Sequence, residues 1–363
     1  MRCASSNRSR PGRLARLGLV AVAGAVLLAI GAAGATSARG ERDSLAHAAS
    51  YRIPEAVLEP RAQRSLRASA WQGGTYTTSS GETVRVLVSD SYPDGYAIGQ
   101  RWAEFFASLL HGQELGRLIA YVVTPAEMED LCGPRALGCY GGGQLAFMNE
   151  TVAGVTPEEV ARHEYGHHVA ANRPNPPWLS IETGPKRWAS AANVCVRARQ
   201  GTAFPGDEGW NYTRNPGEAF AEVYRVLTEL KGGAASFSWS LVDPSFYPDA
   251  AALHAAEQDV VTPWAAPVSQ SFRGRFVRSG KNVWRVSVPT PLDGSLAVTL
   301  TLPRGALHEL TVLGPGGRPL AQGLWFGTGE KRITTTVCGQ RSLVLRVTQR
   351  GSVGAFTLRV THD

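Results

Sequence analysis

The chain of 363 residues is long enough for two domains, and its 43% apolar share allows substantial cores. Its formal charge of +7 is concentrated at the start, where Arg2, Arg8, Arg10, Arg13 and Arg16 precede an uncharged run; without those five, 32 basic residues face 30 acidic ones. That near balance removes the electrostatic support a nucleic-acid partner would need.

In chain order, residues 1–38 read as an export signal. The five arginines form the n-region, the run Leu17 to Ala35 follows, and Ala33-Gly34-Ala35 or Thr36-Ser37-Ala38 suits a signal peptidase. Adjacent arginines are absent, so the twin-arginine route is not indicated. The run is 19 residues long, enough to span a bilayer, so an uncleaved anchor is the alternative; Ala and Gly in its second half favour cleavage. Either way the remainder is expected outside the cytoplasm, secreted or held at the cell surface, with no other membrane contact. Cysteine usage agrees. Beyond Cys3, the four cysteines Cys132, Cys139, Cys195 and Cys338 suggest two disulfides with three possible pairings. The loop from Gly133 to Gly138 is short enough for a local Cys132–Cys139 bridge, leaving Cys195–Cys338 to join two domains. No CxxC spacing supports cysteine as a zinc ligand.

Residues 39–70 read as a linker or a short propeptide. A hairpin is expected from Thr75-Tyr76-Thr77, through Ser79-Ser80-Gly81, to Val84–Val88. A helix follows over Ala97 to Leu110, with Trp102, Phe105, Phe106 and Leu109 on one side, then a strand over Leu118 to Val123 and a Pro-led helix from Pro125 to Leu131. Gly141, Gly142 and Gly143 lead into a strand over Gln144 to Asn149. That strand is either an exposed edge able to pair with an extended substrate or an ordinary buried strand.

The next segment carries the chemistry. Thr156 suits an N-cap, Pro157 the first helical position, and Glu159 completes a capping box, so a helix starts near residue 157. On that helix His163 and His167 are four apart and project from one face. Two neutral imidazoles so placed can bind one Zn²⁺, and Glu164 beside them can take a proton from water activated by the metal. His168 points to another face and reads as a packing or surface histidine, and Tyr165 and Tyr224 read as core or cleft wall.

Asn172 to Trp178 must be loop because of its prolines, Pro185 to Arg197 is expected to be helical, and Gly201 to Trp210 is a second loop. A helix capped by Asn215 then runs to Lys231-Gly232-Gly233. A catalytic zinc needs a third protein ligand. A histidine at 173 would supply one, but that position is Arg173. Glu218 and Glu222 share a face of the second helix. Glu218 is therefore assigned as the third ligand and Glu222 as a carboxylate orienting one histidine. Alternatively Glu218 only completes a capping box with Asn215, and Glu222 is a solvated acid or itself the ligand.

Asp249 to Val261 is the last expected helix. From about residue 268 the pattern changes to alternation: Trp284, Val286, Val288; Leu296, Val298, Leu300, Leu302; Leu343, Leu345, Val347; Phe356, Leu358, Val360. Turn residues separate these runs, which predicts an antiparallel β-sandwich over residues 266–363 behind a mixed α+β domain over 71–265.

His163-Glu164-Tyr165-Gly166-His167 followed by Glu218-Ala219-Phe220-Ala221-Glu222 resembles the gluzincin zinc metallopeptidases, the second motif being similar to the ExFAE helix of the lethal-factor type. The match covers two helices. It implies a zincin-like catalytic fold, Glu218 as third zinc ligand, Glu164 as general base, and Tyr212 as an oxyanion-stabilising residue, although this tyrosine is offset from the family's position. The C-terminal part, ending Gly354-Ala355-Phe356-Thr357-Leu358-Arg359-Val360, resembles the bacterial pre-peptidase C-terminal β-sandwich. The function these readings lead to is an exported, monomeric zinc endopeptidase acting on proteins or peptides. The alternatives are a non-catalytic exported binding protein with a structural metal, and a zinc amidase acting on cell-wall peptides.

Overall fold

The computed structural model describes residues 70–302, 305 and 307–363. The expected export signal and almost all of the expected linker lie outside them. No helix among the described residues is long and apolar enough to cross a membrane.

A mixed five-stranded sheet, in the order β1-β2-β3-β5-β4, organises the first half. The expected hairpin forms from β1 (Trp71–Thr77) and β2 (Thr83–Ser89). It starts earlier than expected because Trp71 packs edge-on against Tyr121, ring centroids 5.0 Å apart. Val84, Val86 and Val88 alternate inward. Helix α1 (Gly95–Ser108), capped by Asp94, lays Trp102 and Phe106 over them. Each aromatic buried this way contributes about 2–3 kcal/mol of hydrophobic stabilisation. β3 (Ile119–Val123) lies parallel to β2, and α2 (Pro125–Cys132) begins in a full capping box of Thr124 and Glu127.

Of the two readings of the strand before the histidine helix, the buried one holds. β5 (Gln144–Met148) is not an edge: it lies between β3, to which it is parallel, and β4 (Gly138–Gly141), to which it is antiparallel. The glycines taken as a lead-in are a two-residue hairpin turn. Gly142 and Gly143 both have positive φ, +59° and +83°, the geometry of the tight turn that matches strand twist. The sheet ends in β1 on one side and in β4, whose four residues are buried, on the other.

Helix α3 (Pro157–Ala171) packs on β4 and β5 and meets α1 at the Phe106, Phe147 and Tyr165 rings. The stretch expected as one helix from Pro185 is two, α5 (Lys186–Ala191) and α6 (Val194–Arg199), preceded by a single turn α4 (Ser180–Thr183). The break falls at Asn193, which adopts the left-handed conformation (φ 54°) that Asn tolerates better than most residues. Helix α7 (Pro216–Lys231) packs along α3, and α8 (Ala250–Val261) packs on α5 and α7.

Beyond α8, eight strands from β6 (Val268–Phe276) to β13 (Gly354–His362) form two four-stranded antiparallel sheets. One is ordered β10 (Pro319–Phe326), β9 (Leu307–Leu313), β12 (Ser342–Gln349), β7 (Val283–Pro289) and the other β11 (Gly329–Val337), β8 (Gly294–Leu302), β13, β6. Every second side chain of the central strands is buried between them, including Val298, Leu300, Leu310, Leu345 and Leu358, the sandwich arrangement the alternation predicts. Both disulfides form as the spacing suggested, Cys132–Cys139 locally and Cys195–Cys338 between α6 and the sandwich.

Candidate metal centre

Two helices build the site. The Thr156 side chain accepts from Glu159 N–H, and the Glu159 carboxylate accepts from Thr156 N–H, so the capping box starts α3 where the sequence placed it. On α7, Asn215 caps by accepting from Gly217 N–H. Glu218 is therefore not needed at the cap and turns inward. The helices touch closely because of Gly166: a Cβ there would lie 2.7 Å from the Ala221 Cα. The small pair lets the side chains one turn away on each helix converge.

They converge on one point. His163 Nε2 lies 3.2 Å from His167 Nε2 and 3.2 Å from Glu218 Oε2, and His167 Nε2 lies 3.5 Å from Glu218 Oε1. All three residues are buried. For two ligands on one tetrahedral Zn²⁺, bonds of about 2.0–2.1 Å place the donor atoms about 3.3 Å apart. The spacing of the three side chains fits that requirement, and Glu218 Oε1 accepts no hydrogen bond among the described residues. The donor set of two imidazoles and one carboxylate suits a divalent ion.

Two carboxylates flank the His163 ring. Burial pushes the His163 ring down, but carboxylates on both of its nitrogens, Glu218 at Nε2 and Glu222 at Nδ1 (3.1 Å), outweigh burial and lift it to about 10. Burial pushes Glu222 up, and His163 and the Arg225 guanidinium reverse this, holding it at about 2. Glu222 thus sits beside a histidine, as the sequence reading expected, against the His163 nitrogen that faces away from Glu218.

The sequence did not reveal what holds Glu222. Arg225, itself buried, donates to both Glu222 oxygens (3.0 and 2.7 Å), to both Glu229 oxygens (2.7 Å each) and to Ser238 O (2.6 Å). Its only sequence signal is the Glu222/Arg225/Glu229 spacing, which is equally that of a surface helix.

Glu164 is buried against the edge strand: a Cβ on Gly138 would come within 2.6 Å of Glu164 Oε1. β4 therefore passes directly over this carboxylate. The Tyr212 hydroxyl donates to Glu218 Oε2 at 2.5 Å, and burial, then the Glu218 charge, holds it well above the usual phenol range. His168 packs as expected: one ring nitrogen meets Glu114 O at 2.9 Å, the other the Tyr140 hydroxyl at 3.3 Å. Arg173, where a third histidine was considered, pairs with buried Glu114 at 2.6 Å and donates to Asp259 O and Val260 O.

A cavity of about 1000 Å³ opens beside the centre. His163, His167 and Glu218 are not among the residues that line it. It begins at Tyr140 on β4, whose ring is stacked with that of His167 (6.4 Å, 23°), and runs past His168 to the loop Pro174–Ile181.

No family model matches this chain, and no curated protein matches it. Among solved structures, the chain is similar over short stretches to the Yersinia pseudotuberculosis-derived mitogen (13% identity, 27% of this chain and 87% of that one, TM-score 0.21). It is similar in the same way to a periplasmic inhibitor of g-type lysozyme from Aeromonas hydrophila (15% identity, 26% and 86%, TM-score 0.21). A family 35 carbohydrate-binding module from Clostridium thermocellum gives 19% identity, 27% and 100%, and a TM-score of 0.20. Likenesses this slight carry no argument about activity.

Proposed function

We propose that the chain is an exported zinc-dependent endopeptidase with a zincin-like catalytic half, in which Glu164 is the general base. The observation that carries this reading is the buried triad of His163, His167 and Glu218, with donor atoms spaced for one divalent ion and a second carboxylate, Glu164, one residue along the same helix. A structural site has no use for that extra acid.

His163, His167 and Glu218 would hold a divalent ion, which would supply Lewis-acid chemistry there. The chain's own residues supply the rest. Glu164 takes a proton from the attacking water and returns it to the leaving amine nitrogen. β4 is the outermost strand on its side of the sheet and runs over Glu164, so an extended peptide lying along it would cross that carboxylate. Tyr212, bonded to Glu218, is near enough to the centre to donate to a developing oxyanion once that bond is exchanged.

The test is Glu164→Gln. The variant is expected to keep its zinc and its melting temperature and to lose peptide hydrolysis by at least about 10²-fold, the lower range for removing a general base. Parental turnover of casein or a peptide library by this variant defeats the assignment.

A further inference from the structure

One buried lysine ties the two halves of the chain together. Lys186 opens α5 and is fully buried. Its three ammonium hydrogens meet three acceptors from three segments: Pro176 O, Asp293 O at 3.1 Å and Asp363 Oδ2 at 3.0 Å. The Nζ also sits 5.8 Å from the Trp178 ring and 5.1 Å from the Trp264 ring. A buried ammonium is tolerated only when its donors are saturated in this way. Two of the acceptors belong to the sandwich and are themselves fixed. Asp363 Oδ2 accepts from Ser295 N–H (2.8 Å), and Asp293 Oδ1 accepts from Gly339 N–H (2.7 Å) and Arg341 (2.5 Å).

The third acceptor, Pro176, lies in the loop that walls the cavity beside the metal centre, with Pro177, Trp178, Leu179 and Ile181. The opposite wall is Tyr140 and the Gly142–Gly143 turn that follows the edge strand. At about 3.3 Å per strand residue, that turn is four to five positions along from Gly138, which faces Glu164. A peptide laid on β4 would therefore pass from Glu164 to the cavity within a few residues.

We propose that Lys186 is a positioning residue through which the sandwich holds the Pro176–Leu179 wall, and that the walled trough receives a large apolar side chain of the substrate. The sandwich is on this account a working part of the site. The side-chain assignment rests on the peptidase reading; the clasp does not.

Two variants in the full chain test it. Lys186→Met removes the ammonium. Asp363→Asn keeps the shape and removes only the charge facing it, which guards against a Lys186 variant that fails to fold. Hydrogen exchange of backbone amides in residues 174–184 is expected to accelerate about tenfold in either variant, while amides of α3 and α7 and the zinc content stay as in the parent. In kinetics on matched peptides with Phe or Ala at the trough position, the preference for Phe is expected to fall about tenfold, through KM rather than kcat. Unchanged exchange in the wall overturns the clasp whatever the activity. A loss shared equally by the Phe and Ala peptides overturns the trough as a side-chain subsite. A parent that cleaves neither peptide, with the wall loosened as expected in the variants, sinks the peptidase reading and the trough assignment while the clasp stands.

Discussion

His163 is held at both ring nitrogens, by Glu218 on one side and Glu222 on the other, and Arg225 grips Glu222 with two hydrogen bonds. The order of these contacts makes Arg225 a determinant of how firmly His163 is aimed. Partners of this kind, one step behind a ligand, typically change metal affinity 10–100-fold when removed. Arg225→Met is expected to weaken zinc binding by about that range in a chelator competition, with Arg225→Lys losing less. Parental affinity in Arg225→Met contradicts the linkage. At this scale the sequence was informative where spacing alone defines geometry: four residues put His163 above His167 and Glu218 above Glu222. It did not distinguish buried Arg225 from a surface residue of the same spacing, and it was silent on the Arg173–Glu114 pair, because nothing in the chain order says that a charged residue will be buried with a partner 59 positions away.

Elements were legible where a cap or a period marked them. Thr156 with Glu159, and Asn215 before Pro216, gave the starts of both helices that carry the centre. The split of Pro185–Arg197 was hidden, because its composition is helical and only Asn193 interrupts it. What starts the first half, α5, comes from elsewhere: Asp259 on α8 accepts from Arg187 N–H (3.2 Å) and Trp188 N–H (2.8 Å). Burial raises this carboxyl from 3.8 to about 6 despite those bonds. A folded-state value above the unfolded one means its stabilising contribution is complete below about pH 4 and is lost as pH rises through about 6. The whole excursion is worth about 3 kcal/mol. Asp259→Asn is thus expected to gain stability relative to the parent by that order between pH 4 and pH 7.5, read from denaturant midpoints. A difference that is flat or of opposite sign across that window refutes it.

Across the whole molecule, the sandwich was legible in the strands whose inward positions are all apolar, such as β8 (Gly294–Leu302) and β12 (Ser342–Gln349). It was not in β9 (Leu307–Leu313), a central strand whose inward residue His308 breaks the apolar alternation. Nor was it in β6 or β10 (Pro319–Phe326), edge strands that are half exposed. His308 is fully buried near Phe276 and Phe356, and neither ring nitrogen has a hydrogen-bond partner among the described residues. Burial pushes its ring below the ordinary 6.5. The neutral ring's contribution is therefore complete above about pH 6.5 and is lost as pH falls below it. The sandwich is expected to lose stability on the acid side, and His308→Leu to flatten that loss in thermal scans from pH 7 to pH 5. An acid slope unchanged by the substitution excludes this histidine as its cause.

The proposed activity depends on one ion held by three side chains from two helices. Dialysis of the purified full chain against zinc, followed by elemental analysis, tests that claim most directly. One zinc per chain is expected, reduced to a small fraction in Glu218→Ala. A chain that takes up no zinc, or a Glu218→Ala variant that holds it as the parent does, contradicts the claim.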